Sequence, residues 1–480
     1  MHYATGVSLR RNGSGQPGRP YGFQSKGIKS CDVEKNLQLE TVFQEMIRDL
    51  PEKFLTRFSV MTLGRLIGAS AVFLSSLLIA RQMGAEVLGE FSVMLAVAAI
   101  LSVIISGGFP AIAMIFTAEY SAIGRDDLLK GFVQSGRKQV FFGAALCLLL
   151  ALGYLSFASP VAGVGLWTTG LIILIAIAHA ITVFHGAILV GLQRQVEGLL
   201  PDTLIKPLAF LILVTVAAVF SFPLDASGLL VLFALGAALA CTVAYFQVQR
   251  SSLMRGDLVV KDDLKRWRHA AYPWIVTSLV WDLFIELHII LAGVLASAVE
   301  VAVLHVAFRF RVLAGFGMRS LYLLYLPNIV SLNAQKNNKE ILVQLKKVNS
   351  LAFAYVCIVM LLFMLTGSFL MGLFGTGFEQ GWVLLLVVSS TLFARAVFGP
   401  APIILAMQGH QKVSAVVMVF CLGLSLGGSL LLYPVTGILG IALSYGLANF
   451  IGSVTLWILT RNLTGINCAL FAKAPDKTSL

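Results

Sequence analysis

The chain alternates between long uninterrupted apolar runs and short polar connections. Beyond Arg57, twelve apolar segments follow at approximately residues 58–80, 91–115, 140–158, 166–189, 204–222, 227–249, 274–296, 301–326, 349–373, 381–405, 413–433 and 437–459. Each is about 17 to 25 residues long, enough for a helix to cross a hydrocarbon core of about 30 Å. Barrel strands would alternate over about ten residues, so continuous runs predict helices. The expected fold is an all-α integral membrane protein with about 12 transmembrane helices.

Composition agrees and removes one class of partner. Hydrophobic residues make up 58% of the 480 positions and charged residues only 12%, about half the share usual in soluble domains. A net charge of +12 could signal a nucleic-acid partner, but the basic residues concentrate between apolar spans, where membrane topology explains them. The connections after spans two, four, six, eight and ten hold most of them, whereas the odd-numbered connections hold Arg81 as their only basic residue. The positive-inside rule then predicts that both termini are cytoplasmic and that the outer loops are very short. Those loops, each under about 12 residues, leave no room for an outer catalytic domain. Six cysteines stand far apart with no CxxC pattern, so no metal or disulfide framework is expected. No GxxxxGK[ST] loop occurs, which argues against direct ATP hydrolysis, and no cofactor is expected.

Five regions follow from the pattern: a cytoplasmic N-terminal tail over residues 1–56, with an amphipathic helix at 37–50; a first lobe of helices one to six over 57–250; a basic linker over 251–273; a second lobe of helices seven to twelve over 274–460; and a cytoplasmic tail over 461–480. The two lobes can be laid over one another. LLIARQMGAEVLGEF at 77–91 falls on IILAGVLASAVEVAV at 289–303, GRDDLL at 124–129 on NNKEIL at 337–342, and ILVGLQRQ at 188–195 on ILAMQGHQ at 404–411. An internal repeat with a common in-out sense implies two six-helix lobes about an axis along the membrane normal, with a substrate site between them.

The opening LGRLIGASAVFLSSLLIARQMGAEVLGEFSVMLAVA at 63–98, followed by the charged GRDDLLK loop, resembles the start of the polysaccharide and O-antigen flippases. These belong to the multidrug/oligosaccharidyl-lipid/polysaccharide (MOP) exporter superfamily. The resemblance rests on Ala80, Arg81, Gly84, Gly89 and Phe91 in the turn between the first two helices. It implies two lobes around a central cavity that alternates between inward-open and outward-open states and moves a lipid-linked oligosaccharide. Membrane lipids and polysaccharide polymerase or export machinery become the implied partners, and a bacterial inner membrane the implied location.

Charged residues inside the spans are the candidates for function, because each costs ~2.5 to 3.5 kcal/mol near a bilayer centre and so faces protein or a wet cavity. The seventh and eighth spans carry Asp282, Glu286, His288, His305, Arg309, Arg311 and Arg319. Glu286 and Arg309 lie at similar depth, and Asp282 is matched more closely by Arg311. Either these groups are ion pairs holding two helices together, or they form a polar cavity whose pairing changes between states. Arg309 and Arg311 stand about 200° apart on a straight helix, so only one can face a given cavity. Arg309, with His305 one turn away, is the favoured candidate, while Arg319 near the inner end can simply snorkel to headgroups. His179, His185 and His288 are expected to be satisfied core or interface histidines.

Arg65 and Arg395 have no acid in their own segments. They either snorkel or bind anions, and guanidinium forks suit the phosphates of a polyprenyl pyrophosphate. The expected substrate-binding set is therefore Arg65, Arg309 and Arg395, with Asp282, Glu286, Arg311 and His305 around it. Two alternatives stay open. A multidrug cation antiporter of the same superfamily would call for lobe-interior acids, and none is evident in helices one to six. A polysaccharide polymerase or ligase would need a large outer loop. A peptidoglycan-precursor flippase is chemically nearer, but such proteins usually carry additional C-terminal helices. Gly107, Gly108, Pro110, Gly399, Pro400 and Pro402 mark expected kinks.

Overall fold

A computed structural model describes residues 52–157, 165–251, 263–281, 283–335 and 338–471. The amphipathic segment 37–50 and Asp282 lie outside them. All regular structure among the described residues is helical. Eleven helices are long and apolar enough to cross a membrane, and a bent pair raises the number to twelve. Their outward faces are apolar: Leu365, Leu431 and Val435 are among the most exposed side chains, an arrangement that suits a lipid solvent and not water.

The first lobe contains α1 (Glu52–Met83), α2 (Ala85–Ser106), α3 (Phe109–Ala122), α4 (Asp126–Phe157), α5 (Leu166–Gly191), α6 (Gln195–Leu200), α7 (Lys206–Val219) and α8 (Ala226–Gln249). Its central element is α5, which packs against α2, α3, α4, α6 and α8. The second span is broken between α2 and α3, where Gly107 and Gly108 take φ of 58° and 77° and Pro110 sits at the head of α3. A Cβ on Gly108 would run into the carbonyl of Ala271, so this break also admits a crossing helix.

The crossing helix is α9 (Leu264–Trp281), followed across a 60° bend by α10 (Phe284–Leu295). It begins inside the stretch expected to be linker. Its Trp267 is buried in one apolar cluster with Phe109, Phe132 and Phe184, and the indole N–H donates to the Tyr120 hydroxyl at 2.8 Å. Arg266 pairs with Glu119 at 3.0 Å. The first half of the seventh span therefore packs into the core of the first lobe.

The second lobe continues with α11 (Ala298–Ala334), α12 (Asn338–Gly372), α13 (Trp382–Ser389), α14 (Thr391–Phe398), α15 (Ala401–Met407), α16 (Gln411–Thr436) and α17 (Ile438–Thr464). A capping box between Ser297 and Glu300 starts α11. The tenth span is interrupted at Gly399, φ 73°, before Pro400. The duplication persists in backbone detail. Arg194 N–H bonds the Leu189 carbonyl at 2.9 Å, and His410 N–H bonds the Leu405 carbonyl at 2.8 Å. Gln193 and Gly409, which align in the repeat, both occupy the left-handed region at φ 63° and 81°. The second copy uses glycine where that conformation carries no side-chain penalty.

One sequence expectation fails in the fifth span. Instead of starting near residue 204, it runs from Gln195 to Val219, with a π-helical turn at Pro201–Ile205. A π-turn lets a helix continue past a proline that would otherwise end it. Asp202 is thus an intramembrane acid of the first lobe. It accepts from Lys206 Nζ at 2.5 Å and lies 3.1 Å from His179 Nδ1, so Lys206 neutralises its charge.

The lobes meet at the end that bears the short odd-numbered connections. There α2 packs against α10 and α11, Gly89 abuts the carbonyl of Ala298 and Gly293 abuts Val93. Arg81 Nε donates to the Leu373 carbonyl at 2.6 Å.

Candidate functional site

A cavity of about 530 Å³ lies within the second lobe. Its polar lining comes chiefly from Arg311, Arg319 and Tyr322 of α11, Arg395 of α14, and Asn449 and Ser453 of α17, and among the described residues no Asp or Glu contributes. The register of α11 accounts for its share. Arg311 and Arg319 are eight residues apart, which leaves them about 80° apart in azimuth and ~12 Å apart along the helix axis. Gly315 between them removes a side chain that would fill the space.

The arginines form a ladder. Arg395 experiences the positive charge of both Arg311 and Arg319. Arg65, half-buried on α1 of the first lobe, experiences that of Arg319. Arg395 is exposed by its own surface, but that surface faces the cavity and protein encloses the group. Arg311 is buried: its Nε donates to Thr391 Oγ1 at 3.3 Å and its guanidinium lies 5.9 Å from the centre of the Tyr445 ring. Among the described residues, no ion pair to a carboxylate joins these four arginines. Four such arginines in a membrane cost ~10 kcal/mol or more to insert unless neutralised, so the site carries a concentration of positive charge.

Of the residues singled out by sequence, Arg311, Arg319 and Arg395 line this cavity, while Arg65 is not among its lining residues and is linked to it through the charge of Arg319. Arg309 does not line this cavity. Its Nε donates to His305 Nε2 at 3.1 Å, and it interacts electrostatically with Glu286. Exchanging Glu286 and Arg309 in a double substitution is expected to preserve folded protein and transport. Either single change should destabilise by about 3 to 5 kcal/mol, because it strands a buried charge; thermal melting and a transport assay on the three variants check this. Two further candidate histidines are partnered. His288 bonds the Phe284 carbonyl and Ser425 Oγ, each at 2.6 Å, and His185 accepts from Arg137 Nε at 3.0 Å.

Tyr322, Asn449 and Ser453 were not among the sequence candidates. A tyrosine, an amide and a hydroxyl on apolar helices carry no insertion cost large enough to flag them. Only Tyr322 stands three residues from an arginine, Arg319; Asn449 and Ser453 have none within a turn of their own helix.

No known family profile matches the chain, and no curated protein matches it. Solved structures do match. An inward-facing multidrug resistance MATE family transporter of the MOP superfamily superposes with TM-score 0.64 at 13% identity, covering 84% of this chain and 98% of the other. The lipid II flippase MurJ, in an inward closed conformation, superposes with TM-score 0.65 at 14% identity, covering 84% and 87%. A MOP superfamily transporter from Pyrococcus furiosus, described as having a binding pocket of reverse polarity, gives TM-score 0.57 at 13% identity, covering 85% and 95%. The chain therefore has the twelve-helix, two-lobe fold of these membrane proteins.

Proposed function

We propose that this chain is a transporter that flips a polyprenyl-pyrophosphate-linked oligosaccharide from the inner to the outer leaflet of a bacterial inner membrane by alternating access. The observation that carries the reading is the arginine ladder, in a cavity whose described lining holds no acid. A diphosphate diester brings two negative charges and four unbridged oxygens, which guanidinium forks bind through paired hydrogen bonds. Arg319 and Arg395, with Arg65 from the opposite lobe, are its proposed ligands. Arg311 stands deeper, near the sugar-compatible face of Tyr445, Asn449 and Ser453. The basic connections mark the cytoplasmic side, so the lobes touch at the outer end and the cavity is charged from within.

The same ladder argues against the antiporter alternative, since a cationic drug would meet like charge there, and Asp202 is already paired with Lys206. One structural neighbour is described as having a pocket of reverse polarity, a precedent within this fold for a change of pocket polarity.

Proteoliposomes test the reading. Parent protein is expected to move a fluorescent polyprenyl-diphosphate sugar between leaflets. The Arg319→Ala/Arg395→Ala pair should do so at the rate of empty vesicles. Equal rates for parent and pair would sink the proposal.

A further inference from the structure

The short helix α14 presents Arg395 in its last turn, three residues before its final residue, Phe398. A helix leaves its last four carbonyls without partners, and here the usual remedy of continuing the helix is blocked. Pro400 and Pro402 lack the N–H groups that would have served Ala396 and Phe398. Partners come instead from the far end of the chain. After α17 the backbone turns at Gly465, φ 71°, and residues 466–470 lie back against the tenth span, with Ile466, Cys468, Ala469 and Leu470 all buried. Leu470 N–H donates to the Val397 carbonyl at 2.8 Å, and Cys468 Sγ to the Phe398 carbonyl at 3.3 Å. Gly399 admits this strap because a Cβ there would strike the Cys468 carbonyl.

Asn349, fully buried on α12, ties the strap to the cavity. Its Nδ2 donates to the Cys468 carbonyl at 2.7 Å, and its Oδ1 accepts from the Tyr322 hydroxyl at 3.1 Å. The same hydroxyl lies 3.3 Å from the Arg395 carbonyl. One connected set of bonds therefore runs from the C-terminal segment through Asn349 and Tyr322 to the backbone of the arginine.

We propose that Asn349 and the C-terminal strap at residues 466–470 are positioning elements for Arg395, setting the affinity of the cavity for a diphosphate without touching it. The inference rests on the anion-binding reading of the same cavity. Apolar packing alone would hold the strap in place without coupling it to ligand; the bond path through Tyr322 predicts that docking and binding favour each other.

The test is equilibrium binding of farnesyl diphosphate to purified full-length protein, in a double-mutant cycle of Asn349→Leu and Arg395→Ala. Asn349→Leu is expected to weaken binding roughly tenfold, the loss of one hydrogen-bonded contribution, and Arg395→Ala by about 10- to 100-fold. The double variant should be no weaker than Arg395→Ala alone, because Asn349 acts through that residue. Losses that add, or an Asn349→Leu protein that binds like the parent, would overturn the inference. Parent-like binding by Arg395→Ala would overturn the anion site itself and this inference with it.

A second measurement covers the case in which Asn349→Leu does not fold. With Cys468 kept as the sole cysteine, maleimide labelling reports strap release, since burial pushes this thiol up to about 12 and only the undocked thiol reacts near neutral pH. Reciprocity requires farnesyl diphosphate to slow labelling by the same factor, roughly tenfold. An unchanged labelling rate would refute the coupling.

Discussion

Arg395→Ala is expected to reduce farnesyl diphosphate affinity by about 10- to 100-fold, the equivalent of losing one charge-assisted contact of ~1.5 to 3 kcal/mol. The melting temperature should stay unchanged or rise. The second half of this prediction separates function from structure. A buried arginine that stabilises the fold normally does so through a carboxylate, and its removal would strand that partner. Arg395 instead stands within the fields of Arg311 and Arg319, with no carboxylate in an ion pair to it among the described residues. Removing it relieves repulsion. Arg395→Lys should recover part of the affinity, since it restores charge without the fork. Calorimetric titration and thermal melting of the three proteins check the pattern. An Arg395→Ala protein that melts markedly lower yet binds normally would make the residue structural.

Much of this architecture is legible in the sequence because insertion into lipid is a severe filter. Apolar run length alone gives the number of spans, and the aligned segments at 188–195 and 404–411 give a repeat that reappears as matched turn geometry. The interior of the site is less legible. Helical register separates Arg309 from Arg311, but nothing along the chain says which of the two faces meets a cavity. That choice depends on Thr391 and Tyr445, which receive Arg311, and on His305 and Glu286, which engage Arg309. Pro201 hides Asp202 for a related reason: proline reads as a stop, and only packing from neighbouring helices sustains the π-turn that carries the helix through it. Likewise LKRWRHAA reads as polar linker until Tyr120 and Glu119 supply partners for Trp267 and Arg266. In each instance the missing information is tertiary.

One of the contacts that close the lobes at the short-loop end is backbone against backbone, and this leads to the largest conformational effect expected. Gly89 on α2 meets the Ala298 carbonyl at the start of α11, so any Cβ at residue 89 must displace backbone. Overpacking of this kind costs ~1 to 3 kcal/mol. If the lobes alternate, the strain is relieved by parting them at that end, which shifts the population toward the opposite state by about 5- to 150-fold. Gly89→Val should therefore lengthen the distance between spin labels at Gln82 and Val299, both exposed beside the contact, with Gly89→Ala intermediate. Gly170→Val serves as control, since a Cβ there meets open space. Transport should fall in Gly89→Val while folded yield holds, because a carrier biased to one state returns slowly. A protein that loses stability by the full strain with its label distance unchanged would mean that the contact is static packing, and that the lobes do not part there.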